Sequence, residues 1–128
     1  MSMIFVNQPV KDLEASQAFF GALGFDFNAQ FTDEDCACMI VDDNIFVMML
    51  AEDRFRDFIN GEIADPGTTE QIICLAADSR QQVDELHDKA IAAGVTAWKP
   101  KMDAGPMYGA SFQDLDGHVW ELMHMSEG

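Results

Sequence analysis

The second half of this chain repeats the plan of the first half. Each half contains a helical stretch that follows an aspartate, Asp12 or Asp78, and the two lie 66 positions apart in a chain of 128 residues. Later in each half, an Asp-rich turn at 42–44 or at 114–117 leads into an apolar strand. A repeat of half the chain length predicts two similar modules, with the natural ligand site in the groove between them.

The order of elements is the same in both halves, β-α-β-β-β. In the first half we predict a helix over about 12–23 and strands at 3–8, 25–31, 36–41 and 45–50. In the second half we predict a helix that starts with a capping box at Ser79 and Gln82, and strands at 71–76, 96–100, 108–113 and 118–125. Residues 1–128 are then one domain, with a first module at about 1–60, a Gly- and Pro-containing linker at about 61–69, and a second module at about 70–128.

A β-α-β-β-β module covers one face of its sheet with its helix and leaves the other face bare. Two such modules can line up their bare faces as a cup-shaped, partly open sheet of about eight strands. The predicted fold is therefore α+β. A small molecule would bind in the cup.

The charge balance excludes several kinds of partner. With 23 acidic and 7 basic residues the net charge is −16, which repels nucleic acid and anionic membranes and favours cationic or neutral ligands. No segment approaches the roughly 18–20 apolar residues of a membrane span, and the N-terminus has no secretion signal, so we expect a cytoplasmic protein. The odd cysteine count argues against a disulfide framework, and we expect Cys36 and Cys38 to be small buried residues on one strand face.

Two sets of residues resemble the vicinal oxygen chelate superfamily, which includes glyoxalase I, bleomycin- and fosfomycin-resistance proteins and extradiol dioxygenases. The first set is 10–13 (VKDL) with Ser16, 19–20 (FF) and 23–25 (LGF), and the second is 112–122 (FQDLDGHVWEL), similar to the closing hairpin of the family. The resemblance covers essentially the whole chain. It implies the glyoxalase/bleomycin resistance fold and a homodimer, but not one particular reaction, because the superfamily carries many chemistries on one scaffold.

The resemblance also implies four metal-ligand positions, held in the family by His, Glu or Gln. In this chain they fall on Phe5, Met48, Gln71 and Glu121, and a one-residue shift would replace Gln71 by Ile72. Two of the four positions are apolar, and a divalent ion needs several oxygen or nitrogen donors at once. We therefore expect no family-type metal site and no cofactor.

In the second module, Glu121 is the best candidate for a catalytic or ligand-binding side chain. Strand alternation places it on the face opposite His118 and His124, which we expect on the surface or against a helix. In an apolar cup its pKa should rise, and it could act as a catalytic acid or base or accept hydrogen bonds from a ligand. The alternative is a carboxylate that bonds a neighbour or water. We expect His87, in a polar stretch of the second helix, to be exposed.

The residues expected to contact a ligand are Phe5, Met48, Gln71, Tyr108, Phe112 and Glu121. Tyr108 and Phe112 qualify only if the last hairpin pairs Gln113 with His118. The first functional hypothesis is a glyoxalase/bleomycin-resistance-like protein that binds a small organic molecule without the full metal site of the family. The alternative is a metal-dependent enzyme, such as a lactoylglutathione lyase-like lyase, an isomerase or an extradiol dioxygenase, that uses Glu121. A third reading is a structural protein with a filled cup.

Overall fold

The computed structural model describes residues 2–126 of the chain. Within it the polypeptide divides into two compact units, and the boundary lies between Ile63 and Ala64. No helix within residues 2–126 is long and apolar enough to cross a membrane.

The first unit is a four-stranded mixed sheet with two helices. Its elements are β1 (Ile4–Val10), α1 (Leu13–Ala22), β2 (Asp26–Phe27), a short 3-10 helical turn (Ala29–Phe31), β3 (Cys36–Asp42), β4 (Ile45–Ala51) and α2 (Glu52–Arg56). The strand order is β1-β4-β3-β2, with β1 parallel to β4 and the other neighbours antiparallel.

The second unit repeats this plan. Its elements are β5 (Ile72–Ala76), α3 (Arg80–Ala92), β6 (Met102–Ala104), β7 (Met107–Gln113) and β8 (Val119–Met125). The strand order is β5-β8-β7-β6, again with one parallel pair, β5 and β8. The predicted α+β class and the two β-α-β-β-β modules are confirmed.

Both long helices begin and end as local chemistry requires. The Asp12 carboxylate accepts a hydrogen bond from the Ala15 N–H at 3.1 Å, and the Ser79 hydroxyl accepts one from the Gln82 N–H at 3.0 Å. The Gln82 side chain in turn accepts from the N–H of Asp78, the residue before the N-cap, so Ser79 and Gln82 together hold the start of α3. Gly24 and Gly94 follow the helices with φ of 105° and 111°, a left-handed conformation that glycine adopts without strain.

Two strand predictions need correction. Segment 25–31 pairs only over Asp26–Phe27, because the Asn28 side chain accepts from the Gln30 N–H and turns the chain into the 3-10 segment. Segment 96–100 contributes only an isolated bridge between Ala97 and Phe112, and the edge strand forms later, at Met102–Ala104. Pro100, which has no N–H to donate to a ladder, lies between the two.

The core of each unit lies between its sheet and its long helix. In the first unit α1 contacts β3 and β4. The fully buried residues there include Phe20, Ala37, Met39, Val47 and Met49. In the second unit α3 contacts β7 and β8, and the buried residues include Val83, Ala90, Phe112, Trp120 and Leu122.

The prediction that His87 is exposed is wrong. Its side chain is only 7% exposed, and its Nε2–H donates to the Ser111 carbonyl oxygen at 3.2 Å. Val83, His87 and Ala90 recur at helical spacing, so they face the sheet together although the surrounding sequence is polar. A histidine can take such a position because the carbonyl satisfies its ring nitrogen.

Candidate functional site

The register of three neighbouring strands places a row of functional groups on one face of the second sheet. Glu121 on β8 lies directly opposite Cys74 on β5 and Ser111 on β7. Directly opposed residues point to the same face of a sheet. The adjacent row, Ile73, Phe112 and Trp120, points to the other face, where α3 packs.

A pocket opens on the Glu121 side of this sheet, wholly within the second unit. Its volume is about 290 Å³, close to the lower end of the sizes usual for small-molecule sites, about 300 Å³. It is lined by Lys99, Pro100, Met102, Gly109, Ala110, Ser111, Glu121 and Met123. Apolar residues dominate this lining, and the polar side chains come from only three positions.

Gly109 shapes the floor of the pocket. It pairs with Met123 across β7 and β8, and a Cβ at position 109 would lie 2.9 Å from Met123 Cε and 3.2 Å from the Leu122 carbonyl oxygen. The end of the Met123 side chain therefore occupies the space above Gly109, and any larger residue at position 109 would displace it. A flexible, polarisable thioether can adapt its shape to an apolar ligand.

Ser111 adds one hydrogen-bonding group. Its hydroxyl oxygen accepts from the Lys99 N–H at 3.1 Å, which holds the segment before β6 against β7. A hydroxyl that accepts one hydrogen bond still has its own proton to donate. Ser111 can thus present a donor to a ligand in the pocket.

Glu121 is half-buried, and within residues 2–126 its carboxylate forms no hydrogen bond and no ion pair. Burial raises the pKa of the neighbouring Cys74 thiol, and the negative charge of Glu121 raises it further. The thiol therefore stays protonated at neutral pH, which argues against Cys74 as a nucleophile. Lys99 does not neutralise the carboxylate, because its Nζ lies over the Trp98 ring, 5.5 Å from the centroid.

A polar network attaches one wall of the pocket to α3. The Asp84 carboxylate accepts from Lys101 Nζ at 2.7 Å and from the Tyr108 hydroxyl at 2.6 Å, and these donors hold the pKa of Asp84 below its usual range. Arg80 donates to Asp103 at 3.0 Å and places its guanidinium 5.0 Å from the centre of the Tyr108 ring. Lys101 and Asp103 flank Met102, so the network fixes the backbone that presents this lining residue.

The turn between β7 and β8 is closed by a buried carboxylate. Asp114 is 8% exposed and accepts from the N–H groups of Asp116 and His118 and from the Trp120 indole. Burial raises the pKa of Asp114. His118 Nδ1 donates to Glu70 at 2.9 Å. The predicted turn at 114–117 is confirmed.

Residues 3–42 match the family described as bleomycin resistance protein-like N-terminal. Among solved structures, a hypothetical protein from S. aureus is 26% identical, with a TM-score of 0.82 over 97% of this chain and 94% of that one. A glyoxalase/bleomycin resistance protein from Albidiferax ferrireducens is 25% identical, with a TM-score of 0.71 over 97% of both chains.

The fold expected from the resemblance to the vicinal oxygen chelate superfamily is confirmed. A glyoxalase/bleomycin resistance protein/dioxygenase family enzyme from Burkholderia phytofirmans shares the same fold, with a TM-score of 0.78 at 20% identity over 94% of this chain and 96% of that one. No curated protein matches the sequence.

The donor set beside Glu121 does not fit the divalent metal that the superfamily implies. Its direct neighbours on the same sheet face are a protonated thiol, Cys74, and a hydroxyl, Ser111, and the residues two positions away along β8 are Val119 and Met123. A hard divalent ion prefers several carboxylate, imidazole or carbonyl ligands. Within residues 2–126, no three His, Cys, Asp or Glu side chains are grouped for such a site.

The register of the last hairpin corrects the placement of Tyr108 and Phe112. Gln113 pairs with Val119 and not with His118, because the turn is closed one residue further on by the backbone bonds between Asp114 and His118. Tyr108 and Phe112 consequently lie on the face that packs against α3. Phe112 is buried in the core there, and Tyr108 bonds Asp84.

The other candidates lie in two places. Ile72 and Cys74 share the Glu121 face, whereas Gln71 is exposed just before β5 and out of phase with it. In the first unit, the half-exposed Phe5 stacks on Phe46 at 5.1 Å. Met48 pairs with Asn7 on β1 and with Cys38 on β3. Phe5 lies two residues before Asn7 on the same strand, so Phe5 and Met48 share a sheet face.

Six lining residues were not predicted from the sequence: Lys99, Pro100, Met102, Gly109, Ala110 and Ser111. Met123 also lines the pocket, on the face of β8 that strand alternation assigns to Glu121. The correct hairpin register would have added Gly109 and Ser111, which oppose Met123 and Glu121. The wall from Lys99 to Met102 left no such signal, because its position depends on contacts with β7 and α3.

Proposed function

We propose that this protein is a glyoxalase/bleomycin-resistance-like small-molecule-binding protein that works without the full metal site of the family. The observation that carries the proposal is the pocket of about 290 Å³ on the second sheet, with its apolar lining and the Glu121 carboxylate, which has no partner within residues 2–126. Small-molecule sites combine apolar walls with a few polar groups that orient the ligand. Met102 and Met123 supply the walls, and Ser111 and Glu121 supply the orienting groups.

Apolar contact would provide most of the affinity. Removing about 100 Å² of apolar ligand surface from water contributes roughly 2.5 kcal/mol, before the cost of immobilising the ligand. Within the first unit, Phe5 and Met48 present apolar surface on one sheet face, and we retain them with Gln71 as proposed ligand contacts. If a bound ligand reacts, Glu121 is the group proposed to accept or return the proton.

We further propose that the protein acts in the cytoplasm and as a homodimer. The cytoplasmic assignment rests on the free cysteines Cys36, Cys38 and Cys74, because cysteines usually stay reduced in the cytoplasm. The dimer is supported by the edge strands β1, β2, β5 and β6, whose outer backbone groups invite pairing. Light scattering on the purified protein tests the dimer, and a single 14.2 kDa species would contradict it.

A ligand screen tests the binding function. Fragments small enough for about 290 Å³ are titrated into isotopically labelled protein, and amide shifts are followed by NMR. We expect the hits to shift the amides of Gly109, Ala110, Ser111 and Met123. Hits that shift only residues elsewhere, or a screen without any hit, would contradict the proposal.

Calorimetry with nickel, zinc and iron(II) tests the absence of the family metal site. Because Glu121 has few suitable donors beside it, we expect no stoichiometric binding tighter than about micromolar. Tight stoichiometric binding that disappears in Glu121→Gln would support the rival function, a metal-dependent lyase, isomerase or dioxygenase.

A further inference from the structure

We propose that the pocket of the second unit selects cationic ligands, specifically a primary or secondary amine on a compact aromatic body, with Glu121 as the counter-ion. This inference rests on the proposed function, in which that pocket is the ligand site. It adds the charge class and the shape of the ligand.

The first support is the unsatisfied state of Glu121. Its carboxylate has no hydrogen-bond or ion-pair partner within residues 2–126, although it is half-buried beside a pocket. A carboxylate in such a position has lost part of its hydration without gaining a partner. A ligand ammonium would restore both a hydrogen bond and an opposite charge.

The second support is that the other charged groups near the pocket are already engaged. The Lys99 ammonium lies over the Trp98 ring, and Lys101 is paired with Asp84 at 2.7 Å. Arg80 is paired with Asp103 at 3.0 Å. Lys101 and Arg80 are therefore held by carboxylates of the protein, and the net charge of −16 repels a ligand carboxylate or phosphate.

The third support is the lining itself, which suits an aromatic body. Met102 and Met123 both line the pocket, and a thioether makes favourable contacts with the edge of an aromatic ring. Because Gly109 has no Cβ, the end of the Met123 side chain reaches the backbone of β7, and its thioether is part of the apolar surface offered to a ring. A phenyl ring with a short aminoalkyl arm fits a volume of about 290 Å³.

Three probes that share a phenyl ring test the charge class: phenethylamine (cationic), 2-phenylethanol (neutral) and phenylacetate (anionic). NMR titrations of the intact protein measure the dissociation constant of each probe from the shifts of Gly109, Ser111 and Met123. We expect phenethylamine to bind about tenfold more tightly than 2-phenylethanol, and phenylacetate to bind more weakly than both.

The variant Glu121→Gln keeps the side-chain shape and removes the charge. It should abolish the preference for the amine while leaving the affinity for 2-phenylethanol within about twofold. The matched control is Glu85→Gln, which removes the same charge from the exposed surface of α3 in the same unit. Glu85→Gln should keep the preference, which separates a local ion pair from the general attraction of an acidic protein.

The outcomes separate this inference from the function on which it rests. If 2-phenylethanol shifts the pocket amides and the amine binds no better, the ligand site stands and the cation preference is refuted. The preference is also refuted if Glu85→Gln weakens it as much as Glu121→Gln. If none of the three probes shifts the pocket amides, the inference is refuted, and the fragment screen decides separately whether the pocket binds small molecules at all.

Discussion

The two sheets have the same strand order but carry different chemistry at equivalent positions. In the first sheet Met48 lies opposite Asn7 and Cys38, and at the matching place in the second sheet Glu121 lies opposite Cys74 and Ser111. The ladders repeat residue for residue across these positions. The duplicated backbone therefore provides two equivalent positions for a functional group. The first sheet has the apolar Met48 at this position, and the second sheet has the acidic Glu121.

The closing turns of the two sheets differ in a related way. In the first unit the exposed Asp42, at the end of β3, accepts one hydrogen bond within residues 2–126, from the Asp43 N–H, and the ladder has an irregularity between Ile40 and Asp42. In the second unit the buried Asp114 accepts three hydrogen bonds, one of them from Trp120. The hairpin that carries Glu121 is thus the more firmly held of the two.

The largest expected effect follows from this difference between the turns. Asp114→Ala leaves the buried Trp120 indole and two backbone N–H groups without their acceptor, so we expect the free energy of unfolding to fall by about 3 kcal/mol. Asp42→Ala is the matched control in the first unit and should cost about 0.5 kcal/mol. Urea unfolding followed by far-UV circular dichroism measures the loss in both variants, because both units contain helices and strands. Equal losses in the two variants would contradict the comparison.

The next test makes the two sheets alike at the equivalent positions 48 and 121. Glu121→Met copies the residue of the first sheet and replaces a half-buried, unpartnered carboxylate by an apolar side chain. We expect the free energy of unfolding to rise by about 1 kcal/mol while amine binding is lost, as is usual where a functional residue costs stability. Glu85→Met on the exposed side of α3 should change neither quantity. A destabilised Glu121→Met would show that the carboxylate has a structural partner.

Gly109 corresponds to Cys36 of the first sheet, because these residues pair with Met123 and Leu50 respectively. Gly109→Ala would place a methyl group 2.9 Å from Met123 Cε and push that flexible side chain into the pocket. We expect a change of less than about 1 kcal/mol in stability, since the end of a methionine side chain moves easily, but about fivefold weaker ligand binding. Calorimetry with phenethylamine measures the affinity. Unchanged affinity would place the ligand away from Met123.

The smallest effect concerns the hydrogen bonds that Lys101 and Tyr108 donate to Asp84, which hold the wall of the pocket against α3. The hydrogen bond to Asp84 raises the pKa of Tyr108, which is the only tyrosine in the chain, so tyrosinate absorbance reports on it alone. Because the folded pKa is raised, this contribution to stability is complete below the usual tyrosine pKa and is lost as the pH rises through the raised value. Asp84→Asn should lower the midpoint of the titration toward the usual range. An unchanged midpoint would show that the hydrogen bond does not form in solution.

Local signals in the sequence determined much of the architecture. The caps Asp12 and Ser79, the stops Gly24 and Gly94, and the repeated alternation of the strands predicted two β-α-β-β-β modules, because each depends on residues a few positions apart. The same alternation identified Glu121 and Met123 as neighbours on one face. These interactions form within a single element and need no partner elsewhere.

The tertiary structure decided which residues meet. The hairpin register moved Tyr108 and Phe112 to the helix-packed face, because shifting the pairing by one residue sends every side chain of a strand to the other side. The burial of His87 and the pocket wall from Lys99 to Met102 depend on contacts between α3, β6 and β7, which are distant in the sequence. Strand register and helix packing are settled by long-range pairing and burial, and local composition carries little information about either.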